Sequence, residues 1–146
     1  MCKIAVVYHS FSGNTEEVAE LIERALVKQG FSPVLHRIGV DDVRDYTDYD
    51  LLFLGTFTWE KGAVPEEMQD FLFDTDLPKN IAVFGTGDTQ FGGDDLFCVA
   101  TQKVAINTKS TYIPLKIEQS PRGSQEGKVS TWTNQIIEAC KKKGKI

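Results

Sequence analysis

Apolar runs of strand length alternate with helix-period segments along the whole chain, and this alternation restricts the fold more than any other feature. The runs cover residues 4–8, 33–38, 51–55, 81–85 and 112–117. The first helix is predicted over 14–29. Val18, Ile22, Ala25 and Leu26 form its buried stripe, Glu16 and Glu17 lie in its first turn, and Gly30 stops it. A short helix is expected at 42–46. Another begins at Pro65 with Met68, Phe71 and Leu72 on its apolar side, and further helices span 95–106 and 127–142. Five strands, each followed by helical sequence, predict an α/β fold: a doubly wound, five-stranded parallel sheet covered by helices on both faces. No repeat or linker-like stretch interrupts it, so residues 1–146 read as a single domain.

Composition narrows the class. With 41% hydrophobic and 25% charged residues the chain has the make-up of a globular protein. It has no apolar run of membrane-spanning length and no signal-peptide pattern. Cys2, Cys98 and Cys140 are too widely spaced for a zinc site or a disulfide framework, which fits a reducing cytoplasm. Charge is unevenly distributed. Residues 41–95 hold fourteen acids and three bases, a balance of −11, and the remainder carries +6. An acidic middle disfavours nucleic acid and favours a basic protein surface as partner.

In a doubly wound sheet the ligand lies beyond the carboxyl ends of the strands. Three loops open there. After the first strand come Ser10, Phe11, Ser12, Gly13, Asn14 and Thr15, rich in hydroxyls, free of carboxylates and lysines, and leading into a helix N-terminus. Such a loop suits a terminal phosphate. After the third come Thr56, Phe57, Thr58, Trp59, Glu60, Lys61 and Gly62; after the fourth come Thr86, Gly87, Asp88, Thr89, Gln90, Phe91, Gly92 and Gly93. Trp59 and Phe91 can flank a flat ring, and Gly87, Gly92 and Gly93 let backbone approach its edge. Each loop has an ordinary reading alone, as a helix cap or as packing. Together they match a phosphate with a flat heterocycle attached, flavin mononucleotide (FMN) in particular.

These segments resemble the flavodoxin family. The Ser10–Thr15 stretch is similar to its phosphate loop. Thr56-Phe57-Thr58-Trp59 with Gly62 and Pro65 is similar to the segment over one flavin face. Gly85-Thr86-Gly87-Asp88 with Phe97-Cys98 is similar to the loop over the other. The resemblance covers the whole chain and implies sheet order 2-1-3-4-5 and bound FMN. It implies a monomeric one-electron carrier between a flavodoxin reductase-type donor and an acceptor protein, not an enzyme with its own substrate. It puts the phosphate at Ser10, Ser12, Asn14, Thr15 and the Gly13 backbone, and Thr56 and Thr58 beside the ribityl chain and ring. Trp59 is implied to stack on the ring, the Glu60–Lys61 peptide to lie by N5, and Gly87–Asp88 to meet the pyrimidine edge.

Three departures bear on behaviour. Glu60 stands where glycine is common, and a Cβ resists positive φ by roughly 1 kcal/mol, which predicts a less stabilised half-reduced flavin. Lys61 replaces a commonly acidic residue and favours the anionic, fully reduced flavin. Phe91 stands where a tyrosine is usual, in a longer loop. His9 reads as a surface or supporting residue, and Cys98 and Trp132 as packing. A runner-up within the same fold is the flavodoxin-like activator of manganese ribonucleotide reductase, whose glycine-rich loop is echoed by Gly87-Asp88-Thr89-Gln90-Phe91-Gly92. The acidic cluster and lysine of phosphate-accepting signalling domains are missing from the strand ends, and an oligomeric reductase site is not discernible.

Overall fold

The computed structural model describes residues 2–10, 13–41, 43–58, 64–87, 99–118 and 123–145. The strands are β1 (Ile4–Tyr8), β2 (Val34–Arg37), β3 (Leu51–Phe57), β4 (Ile81–Gly87) and β5 (Leu115–Glu118). The helices are α1 (Asn14–Lys28), α2 (Glu66–Asp74), α3 (Val99–Asn107) and α4 (Ser124–Lys142). All four strand pairings are parallel, as the sequence pattern predicts, and the order is β2-β1-β3-β4-β5, as the family resemblance implies.

Side-chain alternation sorts the strands onto two cores. Ile4, Val6, Tyr8, Leu51, Phe53, Phe84, Leu115 and Ile117 pack under α1 and α4, which contribute Val18, Ile22, Leu26, Val129, Trp132, Ile136 and Cys140. Ala5, Val7, Leu52, Leu54, Ile81 and Val83 face Met68 and Phe71 of α2 and Val104 of α3. The Trp132 expectation holds: its ring meets Phe53 edge-on at 5.7 Å, and its indole N–H donates to the Ile113 carbonyl at 2.8 Å.

Two expectations need correction. No helix forms at 43–46: Asp45 makes an isolated parallel bridge to Asp76, and Tyr46 is buried in the second core. Among the described residues the β2–β3 connection therefore carries no helix, and Tyr46 fills part of that face. The strand ends also shift. β3 and β4 each run two residues further because the Thr56↔Gly85 and Phe57↔Thr86 pairs continue the ladder. β5 starts three residues later, after Pro114, which has no N–H to give a ladder. The start of the expected 95–106 helix lies outside the described residues.

Two glycines are there to admit close neighbours. A Cβ on Gly55 would lie 2.3 Å from the Phe84 ring, and one on Gly85 would lie 1.8 Å from Thr101 Oγ1 of α3. Both sit near the carboxyl ends of the central strands, where α3 and the strand ends converge.

Candidate functional site

Three strand ends meet at one edge of the sheet and are tied together by hydrogen bonds. His9 N–H, just past β1, donates to the Gly55 carbonyl at 2.9 Å, and Thr58 N–H, just past β3, donates to the Thr86 carbonyl at 3.0 Å. Thr15 in the first turn of α1 shares a hydrogen bond with Thr86 of β4, 2.8 Å between hydroxyl oxygens, both residues buried. Thr58 Oγ1 accepts the Ala100 N–H at 3.2 Å, joining the β3 end to the first turn of α3. Thr56 is buried and its hydroxyl donates to the Phe57 carbonyl at 3.1 Å. The structure thus unites Ser10, Gly13, Asn14, Thr15, Thr56, Phe57, Thr58, Thr86 and Gly87 at one end of the sheet. Phe11, Ser12, Trp59, Glu60, Lys61, Gly62, Asp88, Phe91, Gly92 and Cys98 lie outside the described residues.

At the first loop the backbone turns through Gly13, which caps α1 in the left-handed region with φ +94°. A residue with a Cβ is disfavoured there, which accounts for the glycine. No side-chain hydrogen bond caps the helix. Ser10 is buried; its Oγ accepts the Gly13 N–H at 3.0 Å, so its own hydroxyl hydrogen remains to donate.

Several charged or polar neighbours escape sequence reasoning. Arg37 of β2 donates through Nη2 to the Ser10 carbonyl at 3.1 Å, and its Nη1 lies 3.5 Å from Glu16 Oε2. The Tyr8 hydroxyl donates to the same Glu16 oxygen at 2.8 Å; burial, then this bond to a carboxylate, push Tyr8 up to about 12. His9 is buried rather than at the surface. Its Nε2 lies 2.7 Å from Glu67 Oε1 of α2, and its ring packs on Phe57 at 5.0 Å. Only the β1–β2 register, which sets Tyr8 opposite Arg37, could have signalled the first group.

Burial lowers the His9 pKa, the Glu67 carboxylate opposes this, and Arg37 adds to it; the net shift is downward from the usual value. The folded protein thus takes this proton less readily than the unfolded chain, which titrates near roughly pH 6.5. The His9 contribution to stability is fully present above that pH and is lost as pH falls through the lower folded value. His9→Gln is expected to flatten the loss of stability on acidification below about pH 6.5. Denaturant unfolding across that range gives the test, and an unchanged slope in the variant would refute the assignment.

A family model described as Flavodoxin matches residues 6–111. A probable flavodoxin 2 of Bacillus subtilis is 36% identical over 147 residues, covering 93% of this chain and 95% of that protein. The chain belongs to the flavodoxin family. The crystal structure of oxidised flavodoxin 2 from Bacillus cereus matches this flavodoxin with TM-score 0.77 and 33% identity, over 94% of this chain and 99% of that one. A short-chain flavodoxin associated with a non-canonical PDU bacterial microcompartment matches with TM-score 0.84 and 27% identity, over 95% and 99%.

As a flavodoxin, the protein is an FMN-binding electron carrier and not a substrate-converting enzyme. These relatives give no support to the ribonucleotide reductase activator reading. The residues fit the cofactor's phosphate. Backbone donors of an α1 turn capped only by glycine, the Ser10 hydroxyl and a segment without acidic side chains form a donor set for an anion.

Proposed function

We infer that this flavodoxin seats FMN across the three joined strand ends, with its phosphate at Ser10, Phe11, Ser12, Gly13, Asn14 and Thr15. Thr56, Phe57 and Thr58 border the ribityl chain, and Trp59 and Phe91 cover the two ring faces. The Glu60–Lys61–Gly62 backbone lies along one ring edge, and Thr86, Gly87, Asp88 and Gly92 line the pyrimidine side. FMN, when bound, supplies the one-electron chemistry. The chain's own part is to hold the phosphate, exclude water from the ring and fix the surrounding charge.

The observation that carries this reading is the N-terminus of α1, capped by Gly13 with no side-chain hydrogen bond and pinned to β4 through the Thr15–Thr86 hydroxyl pair. It holds the helix N-terminus to which this reading gives the phosphate within one hydrogen bond of the end of β4. The acidic stretch supports a basic face on the donor and acceptor proteins: Asp41, Asp45, Glu66, Asp70 and Asp74 are all exposed. On this reading the carrier is a single-domain monomer of the cytoplasm; among the described residues no helix is long and apolar enough to cross a membrane.

Titrating apoprotein with FMN tests the seating. The wild type is expected to quench FMN fluorescence and develop a perturbed flavin absorption spectrum. Trp59→Ala is expected to weaken binding by at least tenfold through loss of ring stacking, about 1.4 kcal/mol. Affinity unchanged in that variant would remove Trp59 from the ring.

A further inference from the structure

The Ser10–Thr15 segment has no basic side chain of its own, yet one reaches it from the neighbouring strand. Arg37 ends β2 directly opposite Tyr8 in the parallel register, so both side chains emerge on the face covered by α1. There the guanidinium grips the Ser10 carbonyl and approaches Glu16, while the Tyr8 hydroxyl holds the same Glu16 oxygen.

The placement is electrostatically unusual. A cation beside the first turn of a helix faces the positive end of the dipole, where anions are preferred. Gly13 adds no acidic cap. Glu16, already shared with Tyr8, is the carboxylate paired with the guanidinium. Of the other titratable groups nearby, Asp41 accepts the Arg37 backbone N–H at 2.8 Å, and His9 is engaged by Glu67 of α2, with the charge on Arg37 working against its protonation. The Arg37 and Glu16 side chains are 38% and 37% exposed, so water screens the pair only in part. Glu16 and Glu17 both stand in this turn, so Arg37 offsets carboxylates that would otherwise repel a dianion at the loop. Occupying the Ser10 carbonyl also removes a lone pair that would repel such an anion.

We propose that Arg37 is the residue that makes this site select a phosphate-bearing flavin over riboflavin, which has the same ring and ribityl chain without the phosphate. The proposal rests on the phosphate lying at the Ser10–Thr15 loop. Arg37 acts as a positioning residue: it fixes the Ser10 backbone and supplies the charge that the loop lacks. Glu16 sets how much of that charge is available to the ligand.

Affinities of apoprotein for FMN and riboflavin, measured by fluorescence quenching at low and at physiological salt, test it. Arg37→Gln is expected to weaken FMN binding about tenfold at low salt and leave riboflavin within about twofold, the effect of one partly screened charge. The deficit should shrink as salt is raised. Arg37→Lys should restore much of the FMN affinity. Glu16→Gln, which still accepts the Tyr8 hydroxyl, should tighten FMN binding a few-fold. Equal weakening of FMN and riboflavin by Arg37→Gln, or no weakening of either, would overturn the proposal. Should Arg37→Gln fail to fold, Glu16→Gln decides alone, and no gain in FMN over riboflavin would overturn it. A wild type that binds riboflavin as tightly as FMN would instead remove the phosphate from this loop, a separate failure of the seating itself.

Discussion

Gly85→Ala is expected to destabilise the fold by about 3 kcal/mol, the upper part of the usual range for overpacking. The added Cβ would sit 1.8 Å from Thr101 Oγ1, 2.9 Å from Thr101 Cβ and 2.9 Å from the Thr56 carbonyl oxygen. None of these can yield cheaply. Thr101 is fully buried, and Thr56 belongs to the β3–β4 ladder. The relief available is for α3 to move off the sheet, and α3 is the helix whose Ala100 N–H holds Thr58. Lost stability should therefore come with weakened FMN binding. Urea unfolding reads the first effect, and flavin fluorescence the second. Gly127→Ala is the contrasting control. Its Cβ meets nothing within 4 Å in the first turn of α4, so the variant should gain up to roughly 0.5 kcal/mol from helix propensity. A Gly85→Ala protein as stable as the wild type would mean that α3 does not pack on β4 in this way.

Tyr112→Phe is expected to cost about 2 kcal/mol without touching FMN affinity. Tyr112, Asn80 and Cys140 close a buried ring of hydrogen bonds. The Tyr112 hydroxyl donates to Asn80 Oδ1 at 2.5 Å, and Asn80 Nδ2 donates to Cys140 Sγ at 3.3 Å. Tyr112 Oη lies 3.1 Å from Cys140 Sγ. Since the tyrosine proton goes to Asn80, the thiol proton completes the circuit by donating to Tyr112 Oη. The second Asn80 N–H goes to the Asp50 carbonyl, which leaves the amide fully satisfied. Burial, together with the Cys140 contact, drives the Tyr112 phenol pKa well above its usual value, so the group stays a donor. Phenylalanine strands the Asn80 oxygen and the thiol together. The ring joins the start of β4 to the last turns of α4, at the opposite end of the strands from the flavin loops. Its loss should lower the urea midpoint and spare the flavin spectrum. A variant with an unchanged midpoint would show that water replaces the hydroxyl at no cost.

Much of this architecture was legible in the chain. β1 and the start of α1 were predictable to the residue, because an unbroken apolar run meets Gly13 and a helix stripe of Val18, Ile22 and Leu26. The sheet order followed from family resemblance and was matched by the topology. The stretch around Tyr46 reads as a short helix from sequence alone, whereas the bridge between Asp45 and Asp76 is a tertiary contact that no local pattern announces. Arg37 and Glu67 were invisible for a related reason. Each meets the β1 end from another element, twenty-seven residues away for Arg37 and Ser10, and only strand register or helix docking brings them there. Sequence places the backbone of such a site well; the charges that arrive from the side need the fold.

The Thr15–Thr86 contact has a property that its length alone does not convey. Either hydroxyl can be the donor, and the two arrangements share the same heavy-atom positions. Reversing the pair swaps which oxygen keeps an outward hydrogen and which keeps a lone pair, so the sealed seam between α1 and β4 contains a dipole with two settings. A change of charge at the sheet edge can be answered there by rotating two hydrogens. For a carrier that gains and loses charge on every cycle, that is polarisability installed inside a rigid joint: the frame stays still while its field adjusts.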